Sequence, residues 1–235
     1  MHALDALYTT CPFYGSRRMR FALGDEYQIH ICREHVQRLM RLMGIEAIYP
    51  KQHTSIPWPG HQIYPYLLKN LAICRPNQVW GTDITYVRLE DSFCYLTVIL
   101  DWFSRYVVSW ELSPTMETDF CARALQSALA IASPEIHNSD QGAQYTSEQY
   151  TSILKAKEIQ ISMDGRGRCL DNIFTERLWR SVKYEDIYLN HYRTLAETYE
   201  GLGNYFSFYN EKRRHQALEY QTPEMVYFGK NQRSN

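Results

Sequence analysis

An aspartate stands in the middle of a run that otherwise reads as a strand, and that placement narrows what the chain can fold into. The run is Val79-Trp80-Gly81-Thr82-Asp83-Ile84-Thr85-Tyr86-Val87, dominated by β-branched and aromatic residues and bounded by Pro76-Asn77 and Glu90-Asp91. With a period of two, Asp83 shares a face with Val79 and Val87. An unpaired buried carboxylate is costly. Either the strand faces solvent here, or Asp83 is held against a cation.

The residues after this run fix the fold class. Three strands are predicted in quick succession, Val79–Leu89, Cys94–Trp102 and Tyr106–Leu112, with turns too short for anything but antiparallel pairing. A helix is predicted from Glu117 to Ile131, then a short strand over Glu135–Asn138. The polar loop Gln141–Tyr145 leads to a helix over Ser147–Lys157 and a strand over Ile159–Met163. Gly165 and Gly167 mark a mobile loop, after which Asp171-Asn172 caps a long helix from Ile173 to about Tyr184. Three antiparallel strands followed by alternating helices and strands make a mixed sheet with helices on both faces, in the α/β class.

The flanks differ in character. Residues 1–48 read as helical and basic: Ser16 caps a helix over Arg17–Leu23 that Gly24-Asp25 ends, and a helix over Cys32–Met43 carries Val36, Leu39, Met40 and Met43 as its apolar stripe. Exposed arginines on short helices suit a helix-turn-helix DNA module; a basic helical hairpin packed on the main domain is the alternative. Residues 49–76, with Pro50, Pro57, Pro59-Gly60 and Pro65, read as an extended linker. Residues 77–190 are the expected core, and 191–235 a C-terminal helical extension with the basic turn Lys212-Arg213-Arg214-His215 and a last helix opened by Thr222-Pro223.

Composition sets outer bounds. A chain of 235 residues with 45% hydrophobic content supports a sizeable core, and no apolar run approaches the roughly 20 residues that span a bilayer. Residues 1–5 lack the order of a signal peptide. Six scattered cysteines without a Cys-x-x-Cys pair fit free thiols in a reducing cytoplasm. The net charge of −1 is unlike most nucleic-acid-binding domains, but it hides basic clusters at 17–20, 33–41, 166–180 and 212–215.

Three acids fall at comparable places: Asp83 on the first strand, Asp140 just past the end of the fourth, and Glu176 in the first turns of the long helix, on the face opposite Phe174, Leu178 and Val182. Converging carboxylates repel, and one would protonate unless a cation sat between them. Hard oxygen ligands with open positions suit Mg²⁺ or Mn²⁺. Two such ions roughly 3.5–4 Å apart serve phosphoryl transfer.

Here the sequence resembles the DDE transposases of the retroviral-integrase superfamily, and within them insertion-sequence transposases made as the second of two overlapping reading frames. The resemblance rests on Trp80–Tyr86, Asp101-Trp102-Phe103-Ser104-Arg105, Asn138–Ser147, Asp171-Asn172 through Glu176, Lys183, Tyr209–Leu218, Thr222-Pro223, Tyr14–Arg18 and Arg41–Ile45. It implies a ribonuclease-H-like five-stranded core, with Asp83, Asp140 and Glu176 as catalytic residues holding two Mg²⁺ (or Mn²⁺) ions. It implies DNA cleavage by water and joining by the freed 3′-hydroxyl, and a homo-oligomer on DNA in the nucleoid-associated cytoplasm. It also implies that a first-frame helix-turn-helix product can act with this chain, and that the start is truncated or internal. A catalytically silent DNA-binding regulator and a nuclease that only cuts are the rival readings.

Other residues carry weaker expectations. Lys183 and Arg180, beside Glu176, read as phosphate contacts, which position DNA without specifying it. Gln144 and Tyr145 read as substrate contacts, and Arg17 and Arg18 as DNA contacts of the helical region. Lys212, Arg213 and Arg214 form a DNA clamp or a solvated turn. Trp179 stacks on a base or packs, packing being the simpler. His30, Cys32 and His35 lack a second cysteine at zinc-binding spacing. His137 reads as a strand-end histidine, and no nucleophile elbow supports Ser-His-Asp chemistry.

Overall fold

The computed structural model describes residues 1–48, 62–165 and 172–229. Residues 1–48 belong to one compact unit and the rest to another. Part of the expected linker, most of the expected loop (166–170) and Asp171, expected to cap the long helix, lie outside the described residues.

The first unit is three helices, α1 (His2–Thr10), α2 (Ser16–Tyr27) and α3 (Arg33–Leu42), around a core of Leu4, Leu7, Met19, Leu23, Val36 and Met40. α2 does not stop at Gly24 as expected. Gly24 is buried on its inner side against the His30 ring, where a Cβ would come 3.2 Å from Nδ1. Glycine here makes room instead of ending the helix, which closes at Gln28 in the left-handed region (φ 57°). Ser16 is the first helical residue, with Gly15 in the cap position.

The second unit is built on β1 (Val79–Arg88), β2 (Phe93–Asp101), β3 (Val107–Ser113), β4 (Ile136–Ser139) and β5 (Gln160–Met163), in spatial order β3-β2-β1-β4-β5. β1–β2 and β2–β3 pair antiparallel, while β1–β4 and β4–β5 pair parallel. This is the mixed five-stranded sheet expected. Between the strands come α4 (Thr118–Ile131), α5 (Ala143–Thr146), α6 (Glu148–Ala156) and α7 (Ile173–Val182). The one-turn α5 replaces part of the predicted polar loop. α7 continues through a π-helical segment, Lys183–Ile187, into α8 (Tyr188–Asn190), and the tail forms α9 (Leu195–Glu211) and α10 (Pro223–Phe228).

Strand alternation sorts the two faces. Val79, Val87, Leu96, Val98 and Leu100 pack with Leu178, Val182, Leu202 and Phe206 of α7 and α9. Trp80, Ile84 and Ile99 face the other way, toward Ala124 and Leu125 of α4 and Tyr150 and Leu154 of α6. Residues 62–76 are extended but not a free tether: Leu68 is buried in the first of these cores, and the Leu67 amide donates to Ser162 Oγ at 3.0 Å. None of the described helices is long and apolar enough to cross a membrane.

Candidate active site

The parallel pairing of β1 with β4 brings two of the acids together. Val79, Trp80 and Gly81 align with Ile136, His137 and Asn138. Asp83 stands two residues past Gly81 on β1, and Asp140 two residues past Asn138, one beyond the end of β4. β4 ends at Ser139, so Asp140 emerges at the strand's carboxyl end and is exposed. Its Oδ1 accepts a hydrogen bond from the Gly142 amide at 2.9 Å, folding Asp140-Gln141-Gly142 into a tight turn. A side chain at 142 would crowd that oxygen, since a Cβ there would lie 2.8 Å from it.

α7 delivers the third acid. Asn172, in the cap position, does not cap the helix through its side chain. Its Nδ2 donates instead to the Thr82 carbonyl at 3.2 Å, and its Oδ1 accepts from Thr175 Oγ1 at 2.6 Å. Two turns later, Trp179 is buried and its Nε1 donates to Asp83 Oδ2 at 2.9 Å. Glu176 lies one turn before Trp179, exposed, on the same helix.

The electrostatics follow from this crowding. Burial pushes the Asp83 carboxyl up to about 6, against the opposing hydrogen bonds from Trp179 and the Ile84 amide; Asp140 and Glu176 add to the rise by repulsion. Desolvation by the surrounding chain also raises Asp140, against the Gly142 hydrogen bond. Among the described residues none of the three acids forms an ion pair. Nor do any three His, Cys, Asp or Glu side chains among them form a ready-made metal-ligand cluster. Asp83 feels the charge of the other two, but the three do not form a preassembled cage among the described residues.

A fourth acid is used by the fold. Asp101 is fully buried, and its carboxylate accepts from the Asn77 amide (2.7 Å), the Ser104 amide (2.8 Å) and Ser104 Oγ (2.6 Å). His137 is buried too; its Nε2 lies 2.9 Å from Tyr150 Oη, and burial holds it down to about 3.

The remaining predicted contacts divide. Arg180 is exposed on α7, and Lys183 lines an open pocket of about 620 Å³ with Tyr86, Arg88 and Phe93. Gln144 is half-buried, its Nε2 donating to the Met116 carbonyl at 3.0 Å. Tyr145 does not face a substrate: it is 2% exposed, with its hydroxyl 3.3 Å from both Thr82 Oγ1 and Thr97 Oγ1. Its position in α5 turns the ring into the core. Arg213 is no free clamp either, because Nη2 and Nε grip the two oxygens of Glu185 at 2.6 and 2.7 Å. Lys212 and Arg214 are exposed, Arg214 bonding the Tyr220 carbonyl at 3.0 Å. On α2, Arg17 and Arg18 are exposed, with Arg18 over the Tyr14 ring. Sequence reasoning missed the site contacts of Trp179 and Asn172, because an indole on an apolar helix face reads as packing.

Comparisons with known proteins identify the family. Integrase core domain models match residues 74–169 and 157–223, and an HTH-like domain model matches residues 1–53. The transposase for insertion sequence element IS904 of Lactococcus lactis subsp. lactis (strain IL1403) is 32% identical over 81% of this chain and 78% of its own length. Transposase InsF for insertion sequence IS3A of Escherichia coli (strain K12) is 32% identical over 90% of this chain and 75% of its own length. The catalytic core of HTLV-2 integrase, solved with magnesium in a trimeric form, superposes with a TM-score of 0.52 at 18% identity, covering 65% of this chain and 97% of that one. That likeness establishes the ribonuclease-H-like, integrase-type fold. The chain belongs to the insertion-sequence transposases that carry an integrase core domain.

Proposed function

We propose that this transposase cuts and joins DNA strands by a DDE mechanism, with Asp83, Asp140 and Glu176 as its catalytic and metal-holding residues. The observation that carries the reading is the parallel register of β1 and β4, which leaves Asp83 and Asp140 each two residues past the last pair, with the helix bearing Glu176 bonded to the Asp83 carboxylate. The donor set fits a divalent ion: three hard carboxylates, one of them raised to about 6 by burial and by its acidic neighbours. Two bound Mg²⁺ or Mn²⁺ ions would activate the attacking oxygen and neutralise charge on the leaving one.

The chain's own residues set the geometry of both steps. In cleavage, a water oxygen bonds to phosphorus and the bond to the 3′-oxygen breaks, freeing a 3′-hydroxyl. In joining, that hydroxyl bonds to a target phosphorus and displaces the target's own 3′-oxygen. One bond replaces another, so no external energy source is needed. Asp140, exposed and held by the Gly142 amide, and Glu176, exposed on α7, supply the other two carboxylates. Arg180 and Lys183, further along the same chain path, contact phosphates and fix the strand's register. Gln144 is a further substrate contact, while Lys212, Arg214, Arg17 and Arg18 are outlying DNA contacts. We place the protein as a homo-oligomer on element ends and target DNA in the nucleoid-associated cytoplasm, acting with the first-frame helix-turn-helix product.

The test is Mg²⁺-dependent cleavage and strand transfer on oligonucleotides carrying the element's terminal repeats. This reading expects both products. Cutting without joining would make the chain a nuclease, and DNA binding with neither product would make it a silent regulator.

A further inference from the structure

We infer that Asn172 and Trp179 are positioning residues, a two-point brace that sets the register of α7 on β1 and thereby the distance between Glu176 and Asp83. The inference rests on Asp83, Asp140 and Glu176 being the acids that hold the metal.

Two hydrogen bonds, one from α7 and one from the residue at its cap position, cross to consecutive residues of β1. Asn172 Nδ2 bonds the Thr82 carbonyl at 3.2 Å, just past the last pair that β1 makes with β4. Trp179 Nε1 bonds Asp83 Oδ2 at 2.9 Å. Glu176 lies between the two along the helix, so neither end of its segment can slide along the strand without breaking a bond. Both side chains are buried, at 7% exposure each, and Thr175 holds the Asn172 amide in orientation at 2.6 Å. Apolar packing alone, through Leu178 and Val182, would tolerate small shifts of the helix. Directional bonds at both ends do not.

The Trp179 bond also sorts the oxygens of Asp83. An indole N–H is a donor only, so it occupies Oδ2 from the buried side and stabilises the ionised carboxylate. Oδ1 lies outside that bond. Groups that orient a metal-binding carboxylate typically change metal affinity about 10–100-fold when removed. Trp179→Phe keeps the aromatic bulk and deletes the N–H; Asn172→Ala removes the other bond.

The experiment pairs two readouts on the full chain. The first is the indole Nε1–H resonance of Trp179 in a ¹H–¹⁵N spectrum without metal, assigned by its loss in Trp179→Phe. The brace predicts that Asp83→Asn shifts this resonance, and no shift would overturn the bond. The second is Mn²⁺ binding by calorimetry, alongside the Mn²⁺ dependence of strand transfer, for folded Trp179→Phe and Asn172→Ala. Each variant is expected to need about ten-fold more Mn²⁺ for half-saturation. Unchanged half-saturation with merely less active protein would reduce both residues to packing and overturn the inference. A Mn²⁺-binding wild type without strand transfer would sink the transposition chemistry while leaving the brace to these binding data.

Discussion

The indole of Trp102 lies directly against the backbone of Gly81, so close that a Cβ on residue 81 would overlap Nε1 and its ring neighbours. Gly81 shares its strand face with Asp83, two residues on. Trp102 is buried and meets Phe174 of α7 edge-on at 5.3 Å. Gly81→Ala therefore forces either the ring or the strand to move, which should cost roughly 1–3 kcal/mol of stability. It should also displace the wall behind Asp83. Chemical denaturation checks the first effect; strand transfer by the folded fraction, expected to fall, checks the second.

Asp83 is expected to weaken the metal-free protein at neutral pH. Its folded pKa, raised to about 6, lies above the ordinary value of 3.8. The unfolded chain therefore releases this proton first, and the group's contribution to stability declines as pH rises from about 4 to about 6. The deficit at pH 7 is roughly 2–3 kcal/mol. In chelator, Asp83→Asn should be more stable than wild type at pH 7, with the gap closing toward pH 4. Thermal unfolding across that range measures it, and an Asn variant less stable at pH 7 would contradict the assignment.

The basic turn should separate into two roles. Arg213 grips Glu185 in the π-helical segment, and Glu185 also accepts from the Tyr205 hydroxyl at 3.0 Å; the Arg213 hydrogen bonds hold the Glu185 carboxyl below its usual range. Arg213→Ala should destabilise the second unit by roughly 1–3 kcal/mol. Lys212→Ala and Arg214→Ala should leave unfolding within about 0.5 kcal/mol of wild type and weaken DNA binding instead. Parallel melting and DNA-affinity titrations distinguish the two.

Arg17 and Arg18 project from α2 of the first unit. If both meet phosphates, Arg17→Ala/Arg18→Ala should weaken binding similarly on all sequences and reduce the slope of log affinity against log salt by about 2. A loss confined to one DNA sequence would instead indicate base contacts.

Much of this architecture is legible in the chain because local pattern and tertiary demand agree. The runs at 79–88, 93–101 and 107–113 are strands both by composition and by pairing, within a residue or so of the expected limits. The acids stand out because Asp83 breaks an apolar run and Asp140 ends a strand. What sequence could not supply is direction. Tyr145 beside Asp140 looks like a substrate contact, but the turn of α5 points it inward to Thr82 and Thr97. Arg213 looks like a free cation, but its partner Glu185 lies 28 residues away, outside any local pattern. Gly24 looks like a helix stop, yet its role is set by His30 packing against it. Trp179 gives no hint of an acid partner 96 residues earlier.

The most direct measurement is strand transfer by Asp140→Asn. The assay uses a pre-cut DNA end with a free 3′-hydroxyl, in Mg²⁺, on protein shown to be folded and DNA-bound. Divalent ions contribute several kcal/mol to such a transition state, so if Asp140 is one of the carboxylates proposed to hold them, its loss should lower the rate about 100-fold or more. Transfer at the wild-type rate would remove Asp140 from the chemistry and contradict the convergence of the three acids on a shared metal site.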